Sequence, residues 1–141
     1  MQVIYSPIRQ ANFLFGGIES FSETTARNHL NASTRVVQFI PITIDARTSR
    51  RTGFPEGSEA FYIQRVRSIE DKPVILDVNV FLKSAMPDLT PEIASGSIYR
   101  YLEQDVGMKI ITSSRMITAE RATPADEKFL DLQPARLFCF L

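Results

Sequence analysis

Residues 61–82 have the sequence FYIQRVRSIEDKPVILDVNVFL, and this stretch decides the fold. Its two ends, 61–69 and 74–82, are rich in the β-branched and aromatic side chains that favour strands. The polar cluster Glu70-Asp71-Lys72-Pro73 between them is typical of a turn. We therefore predict a β-hairpin.

Strand alternation places charged groups on an otherwise apolar face of this hairpin. Arg65 and Arg67 share one face of the first strand, and Asp77 and Asn79 share one face of the second. A hairpin loop of three or five residues would bring Asp77 to the face of the arginines, whereas a loop of two or four residues would separate them. Two arginines at this spacing also suit structural ion pairs or a solvent-exposed face.

Strands and short helices alternate along the remainder of the chain. Strands are predicted for 34–45, 109–122 and 135–141, with Pro41 indicating an edge or a bulge in the first. Helices are predicted for 22–30, where Ser20 and Glu23 have capping-box spacing, for the segment from Ser97 to Gly107, and for Thr123 to about Leu132. The polar segment 46–53 is predicted to be a solvated loop. This pattern predicts one α+β domain over 1–141 with a mainly antiparallel sheet and short helices.

The composition of the chain argues against several classes of function. The 141 residues carry 16 Lys plus Arg against 16 Asp plus Glu, so the chain alone lacks the basic surface that DNA binding needs. Cys139 is the only cysteine and the chain has one histidine, so we expect no internal disulfide and no metal site. No apolar run approaches the roughly 20 residues of a membrane span, and we expect a cytoplasmic protein without a cofactor.

Two predicted helix starts add hydrogen-bond donors suited to an anion. Phe21 and Ser22 lie in the first turn of one helix, and Ser97 and Tyr99 lie in or beside the first turn of another. The simpler interpretation makes Ser97 a plain N-cap and Tyr99 a core or surface aromatic. No nucleophile elbow is present, and Cys139 lies in an apolar segment where a thiol is inert, so no catalytic residue is predicted.

Several short motifs occur in a fixed order along the chain. They are Ser-Phe-Ser-Glu at 20–23, Arg-x-Arg at 65–67, the acidic Asp77, Met-Pro-Asp-Leu at 86–89 and Ser-Ile-Tyr at 97–99. From about Ser20 to Leu141 the sequence thereby resembles the UTRA (UbiC transcription regulator-associated) domain, the effector-sensing domain of GntR-superfamily repressors of the HutC type. The resemblance implies the chorismate-lyase fold.

The resemblance also implies roles for individual residues. In phosphosugar-sensing members of the family, Arg65 and Arg67 would clamp the anionic group. Ser97, Tyr99 and the turn at Phe21-Ser22 would complete the cage. Asp77 would bind sugar hydroxyls at a position where many relatives carry Glu. The expected ligand is a small anionic metabolite, with the paired arginines favouring a phosphorylated sugar.

The implied protein is a transcriptional regulator, a repressor, in which an anionic effector shifts the arrangement of a homodimer. DNA would be bound only through the winged-helix domain that normally precedes UTRA and is missing here, as is a final family strand with further pocket residues. A homodimer is also expected because residues 137–141 are apolar on both alternating faces. The alternatives are a chorismate-lyase-like enzyme and a ligand-independent dimerisation module.

Overall fold

Strands and short helices alternate in the computed structural model, which describes residues 21–109, 118–132 and 137–140. The strands are β1 (Ala32–Thr43), β2 (Glu59–Ile69), β3 (Lys72–Leu82), β4 (Thr118–Arg121) and β5 (Leu137–Phe140). The helices are α1 (Phe21–Arg27), α2 (Ala46–Thr52), α3 (Pro91–Ala94), α4 (Ile98–Arg100) and α5 (Pro124–Phe129), and α4 continues into a π-helical turn, Tyr101–Asp105.

All the strand pairs within the described residues are antiparallel. β1, β2 and β3 form a three-stranded sheet in that order, and β4 pairs with β5. Pro41 lies in β1, at an edge of the three-stranded sheet, where its lack of an N–H is tolerated. The predicted α+β class with a mainly antiparallel sheet is therefore confirmed for the described residues.

The hairpin is present, but its register does not follow from its loop length. The turn is only two residues long, and both Glu70 (φ 49°) and Asp71 (φ 63°) have the positive φ of a type I′ turn. Such a loop alone would put Asp77 on the opposite face from the arginines. However, Ser68 pairs with Pro73 and Arg67 with Ile75, so Val74 is an extra residue in β3. This bulge shifts the register by one residue and sets Arg65 opposite Asp77.

The hydrophobic core cluster lies on the face of β2 that carries Arg65. Ile63 and Met86 are fully buried. The core cluster consists of Phe61, Ile63, Met86, Leu89, Ala94, Ile98 and Tyr101. The segment from Met86 to Tyr101 therefore packs over the hairpin, and Arg65 enters the same buried layer two residues after Ile63.

The predicted loop over 46–53 is wrong, because most of it is helix α2. The Asp45 carboxylate accepts a hydrogen bond from the Thr48 N–H at 2.7 Å, and this bond lowers the pKa of Asp45. Gly53 ends the helix with φ 75°, a left-handed conformation that glycine adopts without steric cost. No residue of α2 is buried, so the helix has no apolar stripe that the sequence could reveal.

Helix α3 was not predicted, and the other predicted elements differ from the structure by a few residues at those ends that lie within the described residues. Ser97 caps α4 as predicted, and Thr123 caps α5 with Pro124 at its first position. Predictions on 1–20, 110–117, 133–136 and 141, including the Ser20 capping box, lie outside the described residues. So does the expectation that the side chains of 137–141 are buried on both faces.

Candidate functional site

A cavity of about 290 Å³ lies between the hairpin and the starts of α1 and α4. It is lined by Phe21, Ser22, Arg65, Arg67, Asp77, Asn79, Phe81, Gly96, Ser97, Ile98, Tyr99 and Leu102. The structure thus brings together all seven residues singled out from the sequence. Their roles in ligand binding stay predictions.

Arg65 is the more deeply buried arginine, with a side chain only 3% exposed. Its Nη1 donates to the Ala94 carbonyl at 3.2 Å, and its Nη2 donates to the carboxylate of Asp77 and to Asn79 Oδ1. Its buried Nε has no hydrogen-bond partner among the described residues. Most of the donors of Arg65 are therefore committed to the protein itself.

Arg67 is 15% exposed, and two kinds of contact hold its guanidinium at the cavity. Its Nε and Nη2 donate to Asp77 Oδ2 at 3.2 and 2.8 Å. Its guanidinium carbon lies 4.7 Å from the centroid of the Phe21 ring, a cation–π contact. Its Nη1 makes no hydrogen bond to the described part of the chain, so this edge of the guanidinium keeps donors for a ligand.

Asp77 joins the two arginines through a single oxygen. Oδ2 accepts from Arg65 and Arg67, while Oδ1 accepts no hydrogen bond from the described residues. Burial would raise the pKa of Asp77, but attraction to the two guanidinium charges outweighs burial and holds the pKa below its usual range.

The cluster as a whole is positive. Burial and repulsion from Arg67 lower the pKa of Arg65, and they outweigh the opposite effect of Asp77. Because an arginine remains charged in proteins even so, the cluster holds two positive charges and one negative charge, a net charge of +1.

The start of α4 supplies the polar side chains opposite the hairpin. The Ser97 hydroxyl accepts from the Arg100 N–H at 3.2 Å, so Ser97 is an N-cap as the simpler interpretation predicted, and it also lines the cavity. Tyr99 is half-buried beside it. The hydroxyls of Ser97 and Tyr99 each carry an O–H that can donate to an anion.

Residues 27–138 match the family model of the UTRA domain. The chain belongs to the UTRA domain family. The resemblance described above is thereby confirmed, and it extends over most of the chain.

Two curated relatives of this UTRA domain are transcriptional regulators by name. The HTH-type transcriptional regulator TreR of Bacillus subtilis (strain 168) is 41% identical over 69 residues, which are 49% of this chain and 29% of TreR. The mannosyl-D-glycerate transport/metabolism system repressor MngR of Escherichia coli (strain K12) is 22% identical over 132 residues, 94% of this chain and 55% of MngR. The chain therefore spans less than two thirds of each of these relatives.

Solved structures agree on the fold. The effector-binding domain of the B. subtilis trehalose repressor TreR has a TM-score of 0.69 and 29% identity, covering 76% of this chain and 74% of that one. The effector domain of PhnF from Mycobacterium smegmatis has a TM-score of 0.74 at 15% identity, covering 87% and 76%. The UTRA domain therefore has the fold of effector-binding domains of transcriptional regulators, as expected.

Sequence reasoning missed three contributors to the cavity region. Asn79 shares the Asp77 face in the sequence pattern, but its bond to Arg65 was not anticipated. The Phe21 ring acts through its face on Arg67, whereas only its backbone turn had been considered. The Ala94 carbonyl is a main-chain group, and no side-chain pattern reveals it.

No helix within the described residues is both long enough and apolar enough to cross a membrane. The same part of the chain contains no group of three or more His, Cys, Asp or Glu side chains that could hold a metal ion.

Proposed function

We propose that this UTRA domain is the effector-binding part of a transcriptional repressor and that its cavity binds a phosphorylated sugar. The observation that carries the proposal is the Arg65–Asp77–Arg67 cluster, which lines a cavity together with the Ser97 and Tyr99 side chains. Paired guanidinium groups and hydroxyl donors are suited to phosphate oxygens. The volume of about 290 Å³ lies at the lower end of the range for small-molecule pockets.

The two ends of such a ligand would meet different groups. The phosphate would accept from Arg67 Nη1 and from the hydroxyls of Ser97 and Tyr99, beside the turn at Phe21 and Ser22. A sugar hydroxyl would donate to Oδ1 of Asp77, which accepts no hydrogen bond from the described residues. Arg65, whose donors are largely used within the protein, would act mainly by fixing Asp77.

The regulatory part of the proposal is supported by the names of TreR and MngR. The ligand would shift the arrangement of a homodimer, and DNA would be contacted through a separate domain, because this chain has no net positive charge. Sedimentation velocity at low micromolar concentration tests the dimer, and a stable monomer would contradict it. The same names support binding over turnover, so we propose no enzymatic activity.

A panel of phosphorylated sugars tests the ligand class. Each compound is titrated into the domain by calorimetry and by thermal shift, next to the same sugar without its phosphate. A phosphorylated ligand should raise the melting temperature with concentration, because it binds only the folded state. Equal binding of the unphosphorylated sugars would contradict the proposal.

Arg67→Ala tests the residue assignment. It should weaken binding of the phosphorylated ligand by about 2 kcal/mol, the size expected for losing charge-assisted hydrogen bonds. The matched control is Arg50→Ala, since Arg50 is exposed on α2 and does not line the cavity. Unchanged affinity of the Arg67 variant would remove Arg67 from the site.

A further inference from the structure

The two arginines of the cavity are already paired with a carboxylate of the protein, that of Asp77. Oδ2 of Asp77 lies between the guanidinium groups of Arg65 and Arg67 and accepts from both. Any ligand anion that reaches Arg67 therefore comes close to a carboxylate whose pKa is lowered and which stays ionised at neutral pH. Asp77 is 23% exposed, so its charge is only partly screened by solvent.

We propose that Asp77 is a selectivity residue that keeps free inorganic anions out of the cavity. Inorganic phosphate gains hydrogen bonds from Arg67 but is repelled by the nearby carboxylate. A sugar phosphate meets the same repulsion and offsets it, because a hydroxyl on the sugar donates to Oδ1 of Asp77. The inference rests on the proposed function, since it assumes that anions enter this cavity.

Coulomb repulsion sets the expected size of the effect. Two like charges about 5 Å apart at an effective dielectric constant of about 20 would repel each other enough to weaken binding by about 300-fold. Partial exposure of Asp77 and salt reduce this figure. Removing the charge of Asp77 should therefore strengthen binding of inorganic phosphate by about tenfold or more.

The same contacts also admit a purely structural role for Asp77. In that case the carboxylate only holds the two guanidinium groups in place, and its replacement would misplace them and weaken every anion. The two roles predict opposite signs for inorganic phosphate. The sign of the change therefore decides between them.

The test compares the wild-type domain with Asp77→Asn, which removes the charge and keeps the side-chain shape. Asp88→Asn is the matched control, because Asp88 is exposed and does not line the cavity. Inorganic phosphate and glucose 6-phosphate are titrated by calorimetry at constant ionic strength. We expect Asp77→Asn to bind inorganic phosphate about tenfold or more tightly than wild type, and Asp88→Asn to behave as wild type.

Unchanged or weaker phosphate binding by a folded Asp77→Asn variant would overturn the inference. Should that variant be partly unfolded, its melting temperature is measured against inorganic phosphate concentration. A larger upward shift than in wild type supports the inference, and an equal or smaller shift overturns it.

The outcome for the sugar phosphate separates this inference from the proposed function. If wild type binds no phosphorylated sugar and Asp77→Asn gains phosphate binding, selection by Asp77 stands and the proposed effector class fails. If wild type binds a phosphorylated sugar and Asp77→Asn shows no gain for inorganic phosphate, the effector class stands and selection by Asp77 fails.

Discussion

Two groups of arginines in this domain have opposite surroundings. Arg47, Arg50 and Arg51 lie on α2, where all three are exposed and the helix buries no residue. Arg65 and Arg67 lie on β2, where their side chains are 3% and 15% exposed. Because the residue type is the same in both groups, the difference in their roles comes from burial and from the partners that each strand or helix supplies.

Burial makes partners obligatory for the β2 pair. A guanidinium taken out of water loses hydrogen bonds that the protein must replace, and the two Nη atoms of Arg65 bond to Asp77, Asn79 and the Ala94 carbonyl. The α2 arginines keep their hydration and need no such partners. Charged groups that are held close together at a cavity in spite of this cost are typical of binding sites.

Removing Arg65 should have the largest effect on stability. Arg65→Ala leaves the half-buried Asp77 with one guanidinium partner in place of two, so we expect the free energy of unfolding to fall by about 3 kcal/mol. Urea denaturation followed by circular dichroism measures this. The same substitution at Arg50 is the control and should change the value by less than about 0.5 kcal/mol. Equal losses of unfolding free energy for Arg65→Ala and Arg50→Ala would show that burial does not distinguish the β2 arginines from the α2 arginines.

Acid should weaken the β2 cluster and leave the α2 group unaffected. The pKa of Asp77 is lower in the folded state than in the unfolded chain, where an aspartate titrates near 3.9. The stability that Asp77 contributes is therefore complete above about pH 5 and is lost as pH falls through its folded pKa. Chemical denaturation of wild type and Asp77→Asn from pH 7 to 2.5 should show a constant difference that shrinks below about pH 4. A difference that does not shrink at all between pH 4 and pH 2.5 would contradict the ion pair.

The charged cluster shows how far alternation along a strand can be used. Alternation correctly places Arg65 and Arg67 on one face and Asp77 with Asn79 on one face. Whether those faces coincide depends on Val74, the extra residue of the bulge. Val74 is an ordinary strand residue like its neighbours in β3, so the sequence does not mark it as the site of a bulge. The cross-strand pairing of Arg65 with Asp77 therefore required the structure.

Helix α2 illustrates a different failure. Its cap residues, Asp45 and Gly53, are ordinary helix start and stop signals in the sequence. The segment between them has no apolar periodicity because the helix lies wholly at the surface. Here the caps were better evidence than hydrophobic patterning. Contacts such as the Phe21 ring on Arg67 connect segments far apart in the chain, and local sequence cannot predict them.

Neutralising the charges of α2 should have the smallest effect. The double variant Arg50→Gln with Arg51→Gln keeps helix propensity nearly constant, because glutamine and arginine are similar helix formers. Both arginines are exposed, and neither lines the cavity. Salt at 0.1 M weakens the field of solvent-exposed charges such as these. We expect a change in unfolding free energy of less than about 0.5 kcal/mol and unchanged affinity for glucose 6-phosphate by calorimetry. A loss of affinity comparable with that of Arg67→Ala would mean that α2 belongs to the anion site, and burial would then no longer separate the two groups of arginines.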